Sequence, residues 1–355
     1  MKNLNFEKLE TSAGVPLYVM SLPHANTVAA GVLVKAGTRD EIWPKEAGLA
    51  HALEHMVFQG TKMFKNSKNV SAYIEEIGGV LNTWTWSECT FFWNRVPEKH
   101  KERSVILNAE EIKNCTIPES KIKTEMLNIV EEIRMRKDNP QSYVGKLADE
   151  FLYKEHPLGK DTLGTEESVK SFKKENFIEF RKRYYHPANY TFITAGKITP
   201  EEAVNLFNRH FPEKSKKPAN QRVPEKIIDN KKREAIYKKE IDQVNLILSA
   251  PLGSSNEKSS KAIDLFTTML DGGMSFPLFQ EVRDKRGLCY SISAGATRFS
   301  DVGNFYIYIG TDPKRYQEAI KISLAVIEKS KSNKTLLRKA KEVELGRLAL
   351  KYENT

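Results

Sequence analysis

The alternation of apolar and polar positions separates short apolar segments from longer ones with helical periodicity. Residues 15–22 and 27–36 are short, rich in β-branched side chains and bounded by turn residues, which predicts two strands. Residues 46–59 are apolar on nearly every side, which predicts a buried helix. The other elements predicted in this part of the chain are a helix at 67–77, strands at 80–86 and 89–96, helices at 98–113, 118–137, 141–154 and 166–184, and a strand at 190–195.

A stretch from 212 to 233 interrupts this pattern and differs in composition. It is rich in lysine and contains Pro212, Pro218 and Pro224, which is typical of an exposed linker. After it the order of elements begins again, at an offset of about 215 residues, which indicates an internal repeat. The repeated elements are a strand at 243–250, helices at 258–271 and 275–285, strands near 288–297 and 303–310, and helices at 313–330 and 334–352.

This order of elements predicts an α+β fold of two related domains, each a mostly antiparallel sheet covered by helices. The domains are expected at 1–211 and 234–355, joined by the Pro/Lys-rich linker 212–233. A chain of 355 residues is long enough for two such cores. The second repeat lacks a counterpart of residues 141–210, so the second domain is expected to be truncated or to belong to a short member of its class.

The composition excludes several classes of protein. No run of 18 apolar residues and no signal or transit sequence is present, so we expect no membrane partner. Cys89, Cys115 and Cys289 are too few and too far apart for a disulfide framework, which favours a reducing compartment, most simply the cytoplasm. The net charge of +10 raises the alternative of a nucleic-acid-binding protein. The basic residues are spread among 46 acidic ones without a nucleic-acid motif, so we expect no nucleic-acid partner.

The segment GLAHALEH, residues 48–55, lies in the predicted buried helix and carries the candidate chemistry. His51 and His55 are four residues apart, so on a helix their imidazoles lie on one face and can chelate a metal ion. Glu54 borders the same face and is placed to take a proton from a water molecule. A histidine on an apolar helix is often a satisfied core residue, but three polar side chains here would all need burial partners.

A carboxylate from another element suits the third ligand of a catalytic zinc site, which keeps one position open. The predicted helix 118–137 offers Glu125 and Glu132, which are about two helical turns apart and so face the same way. One of them can bind the metal, and the other can orient a ligand histidine through its second ring nitrogen. Glu131, next to Glu132, is a further candidate for the ligand.

Further segments make the chain resemble the pitrilysin/insulinase family of zinc metallopeptidases, in particular its smaller bacterial processing-peptidase-like members. The two histidines and Glu54 stand in the inverted H-x-x-E-H order of that family. The other segments that carry the resemblance are Gly60-Thr61, GGVLNTWTWSECTFFW at 78–93, Glu132 at 77 residues after His55, His-Pro-Leu-Gly at 156–159, Tyr185-His186-Pro187-Ala188-Asn189, and GGMSFPLFQEVRDKRGLCYSISA at 272–294.

The resemblance implies roles for the residues of the metal centre. His51, His55 and Glu132 are expected to bind one Zn²⁺ per chain, although Co²⁺ or Mn²⁺ also suits such a site. Glu54 is expected to be the general base. Glu125 is expected to support a ligand histidine from behind.

The resemblance also implies substrate-binding residues outside the metal centre. Arg283 and Tyr290 are expected to contact substrate and to stabilise the tetrahedral intermediate. Asn82 and Thr83 are expected to lie on a strand to which substrate adds as an extra strand. Each has a simpler alternative: Arg283 as a surface charge, Tyr290 as a core residue and Asn82 as a turn residue. Thr83 and the bulky Trp84 depart from the family pattern, in which alanine follows the asparagine.

Taken together, these residues lead us to expect a zinc-dependent endopeptidase that hydrolyses peptides or unfolded segments inside a chamber formed by two halves. One chain of this length supplies one half, so the resemblance implies a homodimer or a heterodimer with a related subunit. His210 is the last histidine in the sequence, so the second domain is expected to be non-catalytic. The alternative is a weakly active or non-catalytic assembly partner of another peptidase subunit.

Overall fold

The protein is described from a computed structural model, which covers residues 6–222, 224, 234–254 and 260–352. Contacts divide the chain into two compact units. The first comprises the chain up to Met135 together with Lys160–Arg222, and the second comprises Arg136–Gly159 together with the chain from 223 to Asn354. The segment 136–159 therefore belongs with the second unit, whereas the predicted partition placed it in the first domain.

The predicted strands of the first unit are present, and the structure adds one short strand near the N-terminus. The strands are β1 (Glu7–Glu10), β2 (Pro16–Ser21), β3 (Thr27–Val34), β4 (Val80–Thr85), β5 (Thr90–Pro97) and β6 (Tyr190–Gly196). They form one sheet in the order β1-β2-β6-β3-β5-β4, in which only β2 and β6 run parallel. This order leaves β4 at one end of the sheet.

The helices up to residue 210 match the predicted ones with two differences. They are α1 (Leu49–Val57), α2 (Ser67–Glu75), α3 (Lys101–Asn114), α4 (Glu119–Asp138), α5 (Pro140–Tyr153), α6 (Glu166–Ser171), α7 (Lys174–Tyr184) and α8 (Pro200–His210). The helix predicted at 166–184 is two helices, because Phe172 is buried in an extended conformation between them. Helix α8 was not predicted, although Thr199 and Glu202 form a capping box at its start.

The main core of the first unit lies between the sheet and the helices packed on one of its faces. Along β3 the side chains of Val28, Ala30, Val32 and Val34 alternate with outward ones and are buried. Helix α3 covers β3 and β5 and is tied to them by Asn108, whose side chain donates to the Ala30 carbonyl at 3.2 Å. The sheet therefore provides a rigid base for the helices on this face.

The second unit repeats the central part of the first. Its elements are β7 (Val244–Leu252), α9 (Ser260–Asp271), a π-helix at Phe279–Asp284, β8 (Cys289–Arg298), β9 (Gly303–Thr311), α10 (Tyr316–Ser330) and α11 (Lys334–Tyr352). The strands pair in the order β7-β9-β8, which is the order β3-β5-β4 of the first unit. The predicted repeat of elements is thus present, with a turn and a π-helix where a helix at 275–285 was predicted.

Only the first half of the predicted linker can be described, because residues 223 and 225–233 lie outside the described part of the chain. Residues 220–222 are not a free spacer. The Arg222 guanidinium and the Asn220 amide both donate to the Asp40 carboxylate, at 2.9 Å and 2.8 Å. The predicted domain boundaries otherwise remain a prediction.

Glu111 is a buried acidic side chain in α3. It is 2% exposed, and its Oε1 has no hydrogen-bond partner among the described residues. Burial raises its pKa to about 8. The unfolded chain ionises this carboxyl near pH 4.5, while the folded chain keeps the proton to about pH 8, so stability falls as the pH rises between these values.

We therefore expect Glu111→Gln to raise the melting temperature at about pH 7.5 and to change it little at about pH 5. The gain in the free energy of unfolding of the variant over the wild type is expected to be larger at pH 7.5 than at pH 5 by about 3 kcal/mol. Thermal melts of the wild type and the variant measure it, with Glu119→Gln, at an exposed carboxyl of α4, as the control. An equal change in melting temperature at the two pH values would contradict a raised pKa of Glu111.

Candidate active site

The burial of α1 singles out the three residues that carry the candidate chemistry. Six of its nine residues are buried in the core: Leu49, Ala50, Ala52, Leu53, Met56 and Val57. The remaining three, His51, Glu54 and His55, are half-buried and lie on the face that is left. The core therefore fixes the helix and directs these polar side chains towards one point.

Two glycines set where α1 begins. Gly48 immediately precedes the helix with φ of +85°, a left-handed conformation that favours glycine. A Cβ at Gly48 would lie 2.4 Å from the Leu163 carbonyl oxygen, and one at Gly164 would lie 2.1 Å from that of Ala47. The two backbones cross without room for a side chain, so the chain enters α1 at a defined angle.

His51, His55 and Glu132 converge as the sequence predicts. Glu132, on α4, places Oε2 3.6 Å from His51 Nε2 and 3.9 Å from His55 Nε2. One donor atom from each of the three residues lies within 4.8 Å of the other two. Two donors each about 2.1 Å from a tetrahedral zinc ion are about 3.4 Å apart, so this spacing is close to that of a metal site.

The alternative ligand Glu131 faces elsewhere. Its carboxylate accepts from the Arg134 guanidinium at 2.6 Å, and its side chain is 65% exposed. Glu125, about two turns before Glu132, lies on the same side of α4 as the site. Its Oε2 is 3.5 Å from His55 Nδ1, which suits the predicted support of a ligand imidazole through its second nitrogen.

Glu54 lies beside the three converging residues in a partly dehydrated position. Its Oε2 is buried and has no hydrogen-bond partner among the described residues. Burial raises the pKa of Glu54, and the charge of Glu132 adds to this effect, while Thr85 and His55 oppose it. A carboxyl whose pKa lies above its ordinary value is better matched to accept a proton near neutral pH.

Strand β4 carries the predicted substrate residues at the end of the sheet. Asn82 lies within this strand and not in a turn, and its side chain is exposed. Thr83 points the other way and is 7% exposed, so its main chain is the part left for contact with a ligand. Thr85, at the end of β4, neighbours Glu54, a contact that spacing along the chain did not reveal.

Arg283 and Tyr290 lie together in the second unit. The Arg283 guanidinium stacks between two aromatic rings, with Cζ 4.8 Å from the centroid of Phe279 and 4.8 Å from that of Tyr290. Tyr290 is 73% exposed, so it is not a core residue, and Arg283 is not an isolated surface charge. Phe279 was not singled out from the sequence, although it lies four residues before Arg283 in the π-helix.

Two family profiles match the chain one after the other, and their bounds differ from those of the two compact units. The family profile described as Insulinase (Peptidase family M16) matches residues 18–166. The profile described as Peptidase M16 inactive domain matches residues 171–344. An uncharacterized zinc protease of Rickettsia bellii is 30% identical over 348 residues, which are 98% of this chain and 81% of that protein.

The chain belongs to the insulinase family, peptidase family M16. A second relative, an uncharacterized zinc protease of Bacillus subtilis, is 30% identical over 96% of this chain and 83% of its own length. The predicted family membership is therefore confirmed.

Solved structures of M16 proteins share the fold. A peptidase M16 inactive domain from Pseudomonas fluorescens superimposes with a TM-score of 0.89 at 20% identity, over 97% of this chain and 84% of that one. A protease from Helicobacter pylori gives 0.87 at 22% identity, over 99% and 86%. Both confirm the predicted α+β fold with two helix-covered sheets.

Among the described residues, no helix is long and apolar enough to cross a bilayer.

The position of Glu132 predicts that substitutions of Glu132 and of the adjacent Glu131 differ in their effect on Zn²⁺ affinity. We expect Glu132→Gln to weaken Zn²⁺ binding by at least about 10-fold, because an anionic donor is lost beside both imidazoles. Glu131→Gln removes the same charge one residue away and is expected to leave the affinity unchanged. Competition titration with a zinc-binding dye measures both. An equal loss in the two variants would refute the assignment of the third ligand.

Proposed function

We propose that this protein is a zinc-dependent endopeptidase that hydrolyses bonds within peptides or unfolded segments. The observation that carries the proposal is the convergence of His51, His55 and Glu132 beside a buried carboxyl, Glu54, whose Oε2 has no partner among the described residues. The names of the relatives, which are zinc proteases, support the same chemistry.

The donor set suits a zinc ion. Two imidazole nitrogens and one carboxylate oxygen are the three protein ligands of many catalytic zinc sites, which leave one position open. Such an ion, when bound, would supply a Lewis acid that makes a water molecule a stronger nucleophile near neutral pH. His51, His55 and Glu132 would hold it, and Glu125 would orient the His55 ring from its Nδ1 side.

The protein's own groups then supply the proton transfers. Glu54 accepts a proton from the attacking water and later delivers it to the nitrogen of the leaving amine. Its partly buried position favours this exchange, since the charged and neutral forms become closer in free energy than in bulk water.

The end strand of the sheet offers a binding mode for an extended substrate. A peptide that adds to β4 would pair with the outer main-chain groups of this strand, and the Thr83 N–H would exchange its 2.8 Å hydrogen bond to Asn82 Oδ1 for one to the peptide. Substrate specificity in this binding mode depends on alternate side chains of the peptide and on an extended backbone. An unfolded segment can adopt this backbone freely, whereas most of a folded protein cannot.

We further propose that two chains, identical or related, enclose the reaction chamber. In this arrangement Arg283 and Tyr290 of one chain would contact substrate bound at the metal centre of the other. The guanidinium and the phenol would then lie where negative charge develops on the peptide oxygen. The stacking of Arg283 between Phe279 and Tyr290 supports this role, because it holds the cation in one place.

An assembly partner with little activity of its own is the second candidate. The match of residues 171–344, which include most of the second unit, to a domain described as inactive favours it. The three converging residues and Glu54 in the first unit favour catalysis. Peptide hydrolysis by the purified protein distinguishes the two candidates.

The role of Glu54 predicts a separation of metal binding from turnover. We expect Glu54→Gln to retain about one Zn²⁺ per chain and to lose at least about 100-fold in kcat, because the proton acceptor is gone while the ligands remain. Metal content and hydrolysis of a quenched fluorescent peptide measure the two properties. Chelation should abolish the activity of the wild type, and added Zn²⁺ should restore it. A variant that keeps wild-type kcat would exclude Glu54 as the base.

The proposed pairing of chains predicts complementation between two inactive variants. We expect Glu54→Gln and Arg283→Ala to be weak alone and to recover activity when mixed after dissociation, because one site of a mixed dimer then has both groups intact. Peptidase assays before and after mixing test this. Recovery absent from dimers shown to have exchanged subunits would contradict the contribution of Arg283 in trans.

A further inference from the structure

The start of α1 is held by one buried carboxylate from the loop that precedes it. Glu41 is 7% exposed. Its Oε2 accepts a hydrogen bond from the Gly48 N–H at 2.9 Å, and its Oε1 accepts one from the Ala50 N–H at 2.8 Å. Both oxygens of the same side chain therefore bind main-chain donors at the beginning of the helix.

The contact with Glu41 also restricts how the first turn of α1 can move. The first N–H groups of a helix have no partner within it. Burial raises the pKa of Glu41, while the two N–H donors and the helix dipole favour its charged form. Two hydrogen bonds to one planar group restrict both the position and the rotation of the first turn. His51 directly follows Ala50, and α1 has only nine residues, so a rotation of its first turn would move both imidazoles.

The loop that carries Glu41 is itself anchored. The neighbouring Asp40 is bound by Arg222 at 2.9 Å, and its main-chain carbonyl accepts from the Tyr184 hydroxyl at 2.8 Å. Glu46 is paired with Arg183 at 2.6 Å. The acidic residues on either side of Glu41 thus tie the loop to other parts of the first unit, while Glu41 connects the loop to α1.

We propose that Glu41 is a positioning residue of the candidate metal centre. It fixes the first turn of α1 and thereby the orientation of the His51 and His55 side chains. This inference rests on the proposed function only for its consequence, namely metal binding. The geometric part, that Glu41 fixes the start of α1, stands without it.

Glu41→Gln is the variant that tests the contact most directly. It preserves the size of the side chain but replaces one acceptor oxygen with an NH₂ donor, so either Gly48 or Ala50 loses its partner. Glu46→Gln is the matched control. It removes a buried charge from the same loop, but that carboxylate accepts from Ile42 and Arg183 and not from α1.

Hydrogen–deuterium exchange of the metal-free proteins reads out the geometry. We expect Glu41→Gln to speed exchange in peptides covering residues 48–57 by at least about 10-fold, with Glu46→Gln unchanged there. Co²⁺ titration, followed by its visible absorption bands, reads out the site. We expect Glu41→Gln to weaken Co²⁺ binding by about 10- to 100-fold and to alter the bands, as for other residues that orient metal ligands.

The outcomes separate this inference from the proposed function. Unchanged exchange at 48–57 in Glu41→Gln would overturn it, and so would faster exchange accompanied by wild-type Co²⁺ affinity and absorption. A wild-type protein that binds neither Zn²⁺ nor Co²⁺ would refute the proposed metal centre, while the exchange data would still decide whether Glu41 holds α1. Loss of exchange protection throughout the first unit would show general unfolding and would also overturn a positioning role.

Discussion

Packing of α1 on all but one of its faces is the constraint on which the candidate chemistry depends. Its six apolar side chains lie in the core of the first unit, so the helix can neither rotate nor slide without exposing them. His51, Glu54 and His55 occupy the remaining face. A metal site needs donors held within a few tenths of an ångström, and here the apolar core holds the helix that carries two of them.

The surroundings of α1 add constraints from parts of the chain far away in sequence. Gly164 lets its backbone cross that of Ala47 at the entry to the helix, and Arg183, on α7, pairs with Glu46 at 2.6 Å in the loop before it. Glu132 arrives on α4, which is packed on the same core through Met126 and Ile129. The site is therefore assembled by tertiary packing around a short motif.

The second unit has a related arrangement of strands but lacks the histidines of the candidate site. Its strands β7, β9 and β8 pair in the order of β3, β5 and β4, yet no histidine follows His210 in the sequence. What it presents is Arg283, stacked between Phe279 and an exposed Tyr290. The two units therefore share a strand order but carry different polar side chains.

The sequence by itself determined most helices and strands, the repeat, and the candidate donors His51 and His55 with a glutamate of α4, because each depends on spacing within one element or on a short motif. It also contains the Thr199–Glu202 capping box, a signal from which α8 can be predicted. Only the tertiary structure decided that Glu132 and not Glu131 faces the histidines, and that Thr85 and Glu41 contact α1. Those contacts join segments whose separation along the chain carries no periodic signal, so packing alone brings them together.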